Sequence, residues 1–299
     1  MWRIWVAALF WGLNWPIVKI LLDGTGPWTM RALGLNLGFL VLAGSALASG
    51  QSMAVPRDYW GRLFLAGFLN VACFNIFAVF AQMSMPASRA VILTYTMPLW
   101  SVIFARILLG ERIDRLRASA LALGAAGISI LTKPFWPELL SGHLPIGLVY
   151  VMGAAITWAA GTVYMKRAAI PGAPMALTAW QILLGSLVSY VGLALFETPR
   201  LELYRPEIAL SFAYHVIFPQ AAAYALWFGL MARVPASTAA LGTLLVPVFG
   251  VTGAVVLLGE RPPLLDLAGF AIILTAVVVD QGLRSWRTNT TAAAAASTA

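Results

Sequence analysis

The chain predicts an all-α membrane protein: ten transmembrane helices arranged as two inverted five-helix repeats. Three observations carry that prediction. The first is composition: 61% of the 299 residues are hydrophobic, only 10% are charged, and the mean hydropathy is +0.86, whereas a soluble domain carries about 25% charged residues. The second is a succession of ten apolar runs long enough to cross a hydrocarbon core, and the third is a repeat that relates the second half of the chain to the first. The formal charge of +8 could point to nucleic acid. The basic residues, however, sit singly or in small groups between apolar runs rather than on one polar face, as membrane topology requires. The single Cys73 excludes an intrachain disulfide and a multi-cysteine metal site, and two histidines leave little else to hold a metal. No cofactor or metal is expected.

The runs fall at residues 3–22, 28–48, 60–83, 86–109, 116–132, 145–168, 174–196, 207–232, 235–258 and 264–282. Lipid admits only helices or closed barrels, and runs this long without period-two alternation are helices. The first carries Trp11, Asn14, Trp15 and Pro16 with no small-residue cleavage pattern after it, so it is a retained helix rather than a signal peptide. The second contains Gly34 and Gly38, a small-residue ridge suited to close helix packing. Asn75 and Gln82 lie on the third. The fourth holds Pro98 as its thirteenth residue, the ninth holds Pro247 in the same place, and the fifth is short. The eighth carries His215, either a titrating group or, as expected here, a hydrogen-bonded histidine near the interface. Polar connections are longest at 196–207 and 132–145, so no soluble domain is present, and the alanine-rich segment 288–299 is expected to be a disordered tail.

Sliding the chain by 149 positions pairs Pro86–Arg112 with Pro235–Arg261 without a gap, and 13 of those 27 positions are identical, including Pro-Ala-Ser at the start and Leu-Leu-Gly-Glu-Arg at the end. A shift of 147 pairs Trp11 with Trp158, Lys19 with Lys166 and Pro27 with Pro174. Residues 1–143 therefore form one five-helix repeat and 144–287 a second. An odd number of helices per copy makes the copies enter the membrane in opposite senses. Gly-Glu-Arg is expected to stop each helix, with glycine as the breaker and the charges at the interface. With a cytoplasmic N-terminus, 12 of the 19 basic residues fall on the cytoplasmic side, so both termini are expected inside, at the cell's inner (plasma) membrane. The first motif then faces the cytoplasm with Arg115 and Arg117 behind it, and the second faces outward with Pro262, Pro263 and Asp266.

These features, together with "FWGLNWPIVK" in the first helix, make the chain similar to the drug/metabolite transporter superfamily, and within it to the EamA-type ten-helix exporters. Its tryptophan content and the run "YTMPLW" resemble the aromatic amino acid exporters most. The resemblance implies a cavity between helices one to four and six to nine, with helices five and ten peripheral.

Helical spacing groups the candidate site residues independently of any family. Trp11, Asn14 and Trp15 share a face of the first helix, and Trp158 and Thr162 are their counterparts on the sixth. Asn75 lies on the third, Thr94, Tyr95 and Pro98 on the fourth, Gln220 and Tyr224 on the eighth, Thr243 and Pro247 on the ninth. The amides must face other helices or water, as substrate contacts or as interhelical glue. The deep rings line a pocket or pack the core. Each proline removes one backbone hydrogen bond, which frees a carbonyl, provides a bend or is simply tolerated. Lys19 and Lys166 at helix ends snorkel, or Lys166 attracts a substrate carboxylate.

The function expected is secondary transport: export of small amphipathic metabolites, aromatic or other neutral amino acids among them, by alternating access around a central cavity. The partners are that small-molecule substrate and the lipid bilayer. No nucleic acid is expected, and no ATPase partner is required, since no Walker motif occurs. Proton-coupled efflux of hydrophobic drugs is the alternative within transporters, but it calls for a mid-depth carboxylate, and Asp23, Glu111, Glu260 and Asp280 all lie at helix ends. Facilitated diffusion of a zwitterion fits that absence. A receptor, scaffold or enzyme is the alternative of another class, and an enzyme would need paired nucleophile and base inside the spans, where none is found.

Overall fold

The computed structural model of the protein describes residues 2–223, 226 and 244–279. Among these the only β pairing is an isolated antiparallel bridge between Thr25 and Leu201. Seven helices are long and apolar enough to cross a membrane: α1 (Trp2–Leu21), α2 (Pro27–Ala48), α3 (Arg57–Ser84), α4 (Ala87–Leu109), α5 (Arg115–Leu140), α6 (Ile146–Ala168) and α7 (Pro174–Phe196). Helix α8 begins as Pro206–Ile217 and continues into a π-helical turn at Phe218–Ala222. Helices α9 and α10 are described over Leu245–Leu258 and Leu264–Val279. The expected tail at 288–299 lies outside the described residues.

Prolines and glycines punctuate the chain as their stereochemistry dictates. Pro27, Pro174 and Pro206 occupy the first turns of α2, α7 and α8, where a missing N–H costs nothing. Gly110 and Gly259 close α4 and α9 at φ 69° and 66°, the left-handed cap that lacks a Cβ penalty only in glycine. Helix α5 differs from the expected short span. It runs on through a 3₁₀ turn at Lys133–Phe135 and a last helical turn at Trp136–Leu140, because Pro134 and Pro137 both fall in first-turn positions and bend the chain without breaking it. Helix α4 is divided: Ala87–Thr94 and Met97–Leu109 flank a turn at Tyr95 and Thr96.

The helix contacts obey a pseudo-two-fold rule. Helix α1 packs on α9 and α8 as α6 packs on α4 and α3, α2 packs on α8 as α7 packs on α3, and α2 packs on α7, a pair that maps onto itself. Helices α5 and α10 form a second self-related pair through Gly127 and Gly269, so close that a Cβ on Gly127 would lie 3.1 Å from the Gly269 carbonyl. Apolar surface gains little by leaving lipid for protein, so close van der Waals packing has to hold the bundle, and small side chains permit it. The buried positions are accordingly rich in alanine, Ala7, Ala8, Ala32, Ala154, Ala155 and Ala159 among them.

One end of the bundle is clasped across the repeats. Glu197, just past α7, accepts the backbone N–H groups of Trp28 and Thr29, both at 2.9 Å, and so caps α2. Glu260 of the second Gly-Glu-Arg accepts those of Ala87 and Ser88, at 2.7 and 2.9 Å, and caps α4 at Pro-Ala-Ser. Arg89 donates to Asp266 at 2.8 Å. At the other end Glu111 of the first motif binds Arg117 at 2.7 Å and Lys166 at 2.8 Å. Asp266 and Arg117 are equivalent at a shift of 149, so the differing sequels of the two motifs serve opposite ion pairs.

Candidate functional site

Helices α3 and α8 each lose α-helical regularity at equivalent places, with π-helical turns at Phe68–Cys73 and Phe218–Ala222. Such turns occur often at functional sites. Here they border a cavity of about 120 Å³ lined by Trp11, Asn14, Leu35, Asn70, Val71, Phe74, Asn75, Trp158, Ile182, Pro219 and Gln220. The walls come from α1, α2, α3, α6, α7 and α8. No lining residue comes from α4 or from the described part of α9, although the family resemblance implied both.

The polar groups of the wall are held by specific partners. Trp11 donates its indole N–H to the Pro219 carbonyl at 3.0 Å, which fixes the ring against the α8 π turn. Asn14 Oδ1 accepts from His215 Nδ1 at 2.7 Å. Asn70 donates to Gln181 Oε1 and accepts from the Thr162 hydroxyl, both at 3.2 Å. Asn75 donates to the carbonyl of Val71 in the preceding π turn at 2.9 Å. Glycines admit these side chains. A Cβ would lie 2.9 Å from His215 Nε2 at Gly34, 3.1 Å from Gln220 at Gly38 and 2.6 Å from Asn70 Oδ1 at Gly161. The Gly34/Gly38 ridge is thus where α8 is received by α2.

Of the candidate residues, Trp11, Asn14, Asn75, Trp158 and Gln220 surround this cavity. Thr162 meets it only through Asn70. Trp15 and Tyr95 pack with Ala78, Val91 and Val251 in the largest apolar cluster, beside the cavity rather than in it. Thr94 is fully buried and returns its hydroxyl to the Ala90 carbonyl at 2.7 Å. Pro98 sits in the first turn of the second part of α4, and Pro247 is buried in the first described turn of α9. Tyr224 and Thr243 lie outside the described residues. His215 is hydrogen-bonded as expected, but it is fully buried. Lys166 is engaged by Glu111, and Lys19, its equivalent, donates to the carbonyls of Gln82 and Met85 at the end of α3.

Asn70, Val71, Phe74, Leu35, Ile182 and Pro219 were not anticipated. The reason for Asn70 is geometric. In an α-helix, residues 70 and 75 point about 140° apart, but in a turn closed by i→i+5 bonds five residues complete about one revolution. The π turn therefore brings both amides to one cavity, and no sequence periodicity announces it.

Comparison with known proteins agrees with this architecture. The sequence profile of the EamA-like transporter family matches the chain over residues 2–133 and again over 145–279. An uncharacterized transporter of Bacillus subtilis, YvbV, is 25% identical over 90% of this chain and 87% of its own length. A probable amino-acid metabolite efflux pump of Salmonella typhimurium is 26% identical over 95% of either chain. A probable terminal-alkyne amino-acid exporter of Streptantibioticus cattleyicolor is 24% identical over 93% of this chain and 92% of its own. A solved crystal structure superposes with a TM-score of 0.64 over 94% of this chain and 96% of the other at 23% identity, a likeness of fold alone.

Proposed function

The chain belongs to the EamA-like transporter family, and from that premise we propose that it exports small neutral amphipathic metabolites, amino acids with aromatic side chains among them. It is a multi-pass membrane transporter and not an enzyme. One observation carries the finer assignment: a mid-bundle cavity in which the symmetry-related rings Trp11 and Trp158 stand with the amides of Asn14, Asn70, Asn75 and Gln220, and to which no carboxylate among the described residues contributes. Rings favour an apolar side chain, while amides present both donors and acceptors to a zwitterion. Names of relatives that export amino acids or their metabolites agree with this reading.

Transport proceeds by rocking of the repeats 1–143 and 144–287 about the cavity, a motion that the pseudo-two-fold contact pattern supports. Both termini face the cytoplasm in a bacterial inner membrane, and net-neutral substrate moves down its own gradient. The test is uptake of radiolabelled phenylalanine and alanine into proteoliposomes. Trp158→Ala should raise the half-saturating concentration for phenylalanine about tenfold or more, since a buried ring contributes roughly 1.5–3 kcal/mol, and should change that for alanine little. A proton gradient should not alter the rate. Equal losses for both substrates, or accumulation abolished by a protonophore, would refute the assignment.

A further inference from the structure

Arg31 is the fifth residue of α2 and only 3% exposed. Of the charged side chains buried among the described residues, Arg117 has Glu111 at 2.7 Å and Asp266 has Arg89 at 2.8 Å. Arg31 has no such partner: its Nε is buried without a hydrogen bond, and no described carboxylate forms an ion pair with it. His215 of α8, fully buried, packs its ring against Gly34, three residues along α2 from Arg31. Because His215 Nδ1 donates to Asn14 Oδ1, Nε2 is left as an acceptor, and it too is buried without a partner. Arg31 Nε and His215 Nε2, on the packed helices α2 and α8, are thus two buried polar atoms without a hydrogen bond.

The equivalents of α1, α2 and α8 under the repeat, α6, α7 and α3, also meet through polar side chains, but these satisfy one another: Thr162 donates to Asn70, and Asn70 to Gln181. The residue equivalent to Arg31 is Thr178, which donates to the Pro174 carbonyl of its own helix at 2.9 Å. The architecture therefore requires no cation at this place. A buried, unpaired guanidinium is among the most unfavourable groups a membrane protein can hold, and in-membrane charges are kept where they meet a ligand or a partner. Arg31 stands one helical turn from Leu35, and both Leu35 and Asn14 line the cavity.

We propose that Arg31 is an anion subsite adjoining the cavity toward the Glu197 clasp, and that it takes the carboxylate of the transported amino acid. This rests on the amino-acid reading above and narrows it to substrates bearing a free carboxylate. The planar guanidinium fork matches a carboxylate bidentately, which a lysine at this position would not. The same charge repels cationic amphiphiles.

The test uses purified full-length protein and tryptophan fluorescence titrations with L-phenylalanine, L-phenylalaninamide and phenethylamine, each in chloride and in gluconate buffer. Wild type should bind phenylalanine at least tenfold more tightly than the two carboxylate-free analogues. Arg31→Gln should reduce that preference to within twofold, and Arg31→Lys should keep part of it. Comparable affinity of the wild type for phenylalanine and its amide overturns the subsite whether or not the variants fold, and leaves amino-acid transport standing. Retained preference in Arg31→Gln overturns it as well. Chloride that competes with phenylalanine in wild type but not in Arg31→Gln supports an anion site shared by both. Chloride dependence without any carboxylate preference assigns the site to an inorganic anion and overturns the proposal. If neither phenylalanine nor any other amino acid binds the wild type while other solutes do, the proposed function falls first and the subsite with it.

Discussion

Substitution of Glu260 by Gln tests whether the second Gly-Glu-Arg motif is a cross-repeat clasp. Its carboxylate accepts from two backbone N–H groups, Ala87 at 2.7 Å and Ser88 at 2.9 Å, and from the Ser88 hydroxyl. Glutamine keeps one acceptor oxygen but turns an amide N–H₂ toward the second donor. One hydrogen bond to a charged acceptor, worth about 1.5–3 kcal/mol, is lost, and with it about 0.3–1 kcal/mol of charge–dipole attraction at the α4 N-terminus. Partial exposure places the total near the lower end, about 2 kcal/mol, a factor of roughly 30 in equilibrium constant. Glu207→Gln gives the comparison. Glu207 pairs with Arg205 at 2.8 Å, both side chains largely exposed, and water screens such a pair so that it adds little to stability. In detergent, thermal unfolding followed by intrinsic fluorescence should show Glu260→Gln lowering the midpoint by about 3 °C, and Glu207→Gln by less than half as much. Equal shifts, or none for Glu260→Gln, would refute the clasp.

Three further predictions follow from the same structure. Lys166 and then Arg117, by hydrogen bonding, hold the Glu111 carboxyl down to about 2. Its folded value being depressed, the stabilisation is complete above the ordinary carboxylate range near 4.5 and is lost as pH falls from about 4.5 toward 2. The difference in thermal midpoint between wild type and Glu111→Gln should therefore vanish over that window, and a difference constant with pH would contradict it. Gly12→Ala places a Cβ 2.6 Å from the Val246 carbonyl and from Phe249 Cβ across the α1–α9 contact, an overpacking cost of about 1–3 kcal/mol, whereas Gly44→Ala meets nothing within 4 Å and should be neutral or stabilising in the same melt. In a Cys73→Ala background, single cysteines at Ile113 and Pro263 should react with an impermeant maleimide from opposite sides of the membrane, and same-side labelling would contradict the inverted repeat.

The membrane class, the span order and the duplication were legible in the sequence because each depends on local or periodic properties: apolar run length, proline and glycine positions, and identity at a fixed shift. The Gly110 and Gly259 helix stops belong to that category, since a left-handed cap is a property of one residue. Trp11, Asn14, Asn75, Trp158 and Gln220 could be picked out because polar and aromatic side chains are conspicuous in apolar helices. Which of the conspicuous groups meet was decided only by the tertiary structure. Trp15 lies one residue from Asn14 yet packs into the core, and Tyr95 sits at a break in α4 rather than on a cavity wall. Asn70 joins Asn75 because a π turn adds a residue to one revolution of α3, and such a turn depends on what packs around the helix. Glu260 reaches Ser88 across 172 residues, and Arg31 forms no ion pair with any described acidic side chain. Partnership at long range is set by how ten helices pack, and a one-dimensional pattern of polarity carries no record of that packing.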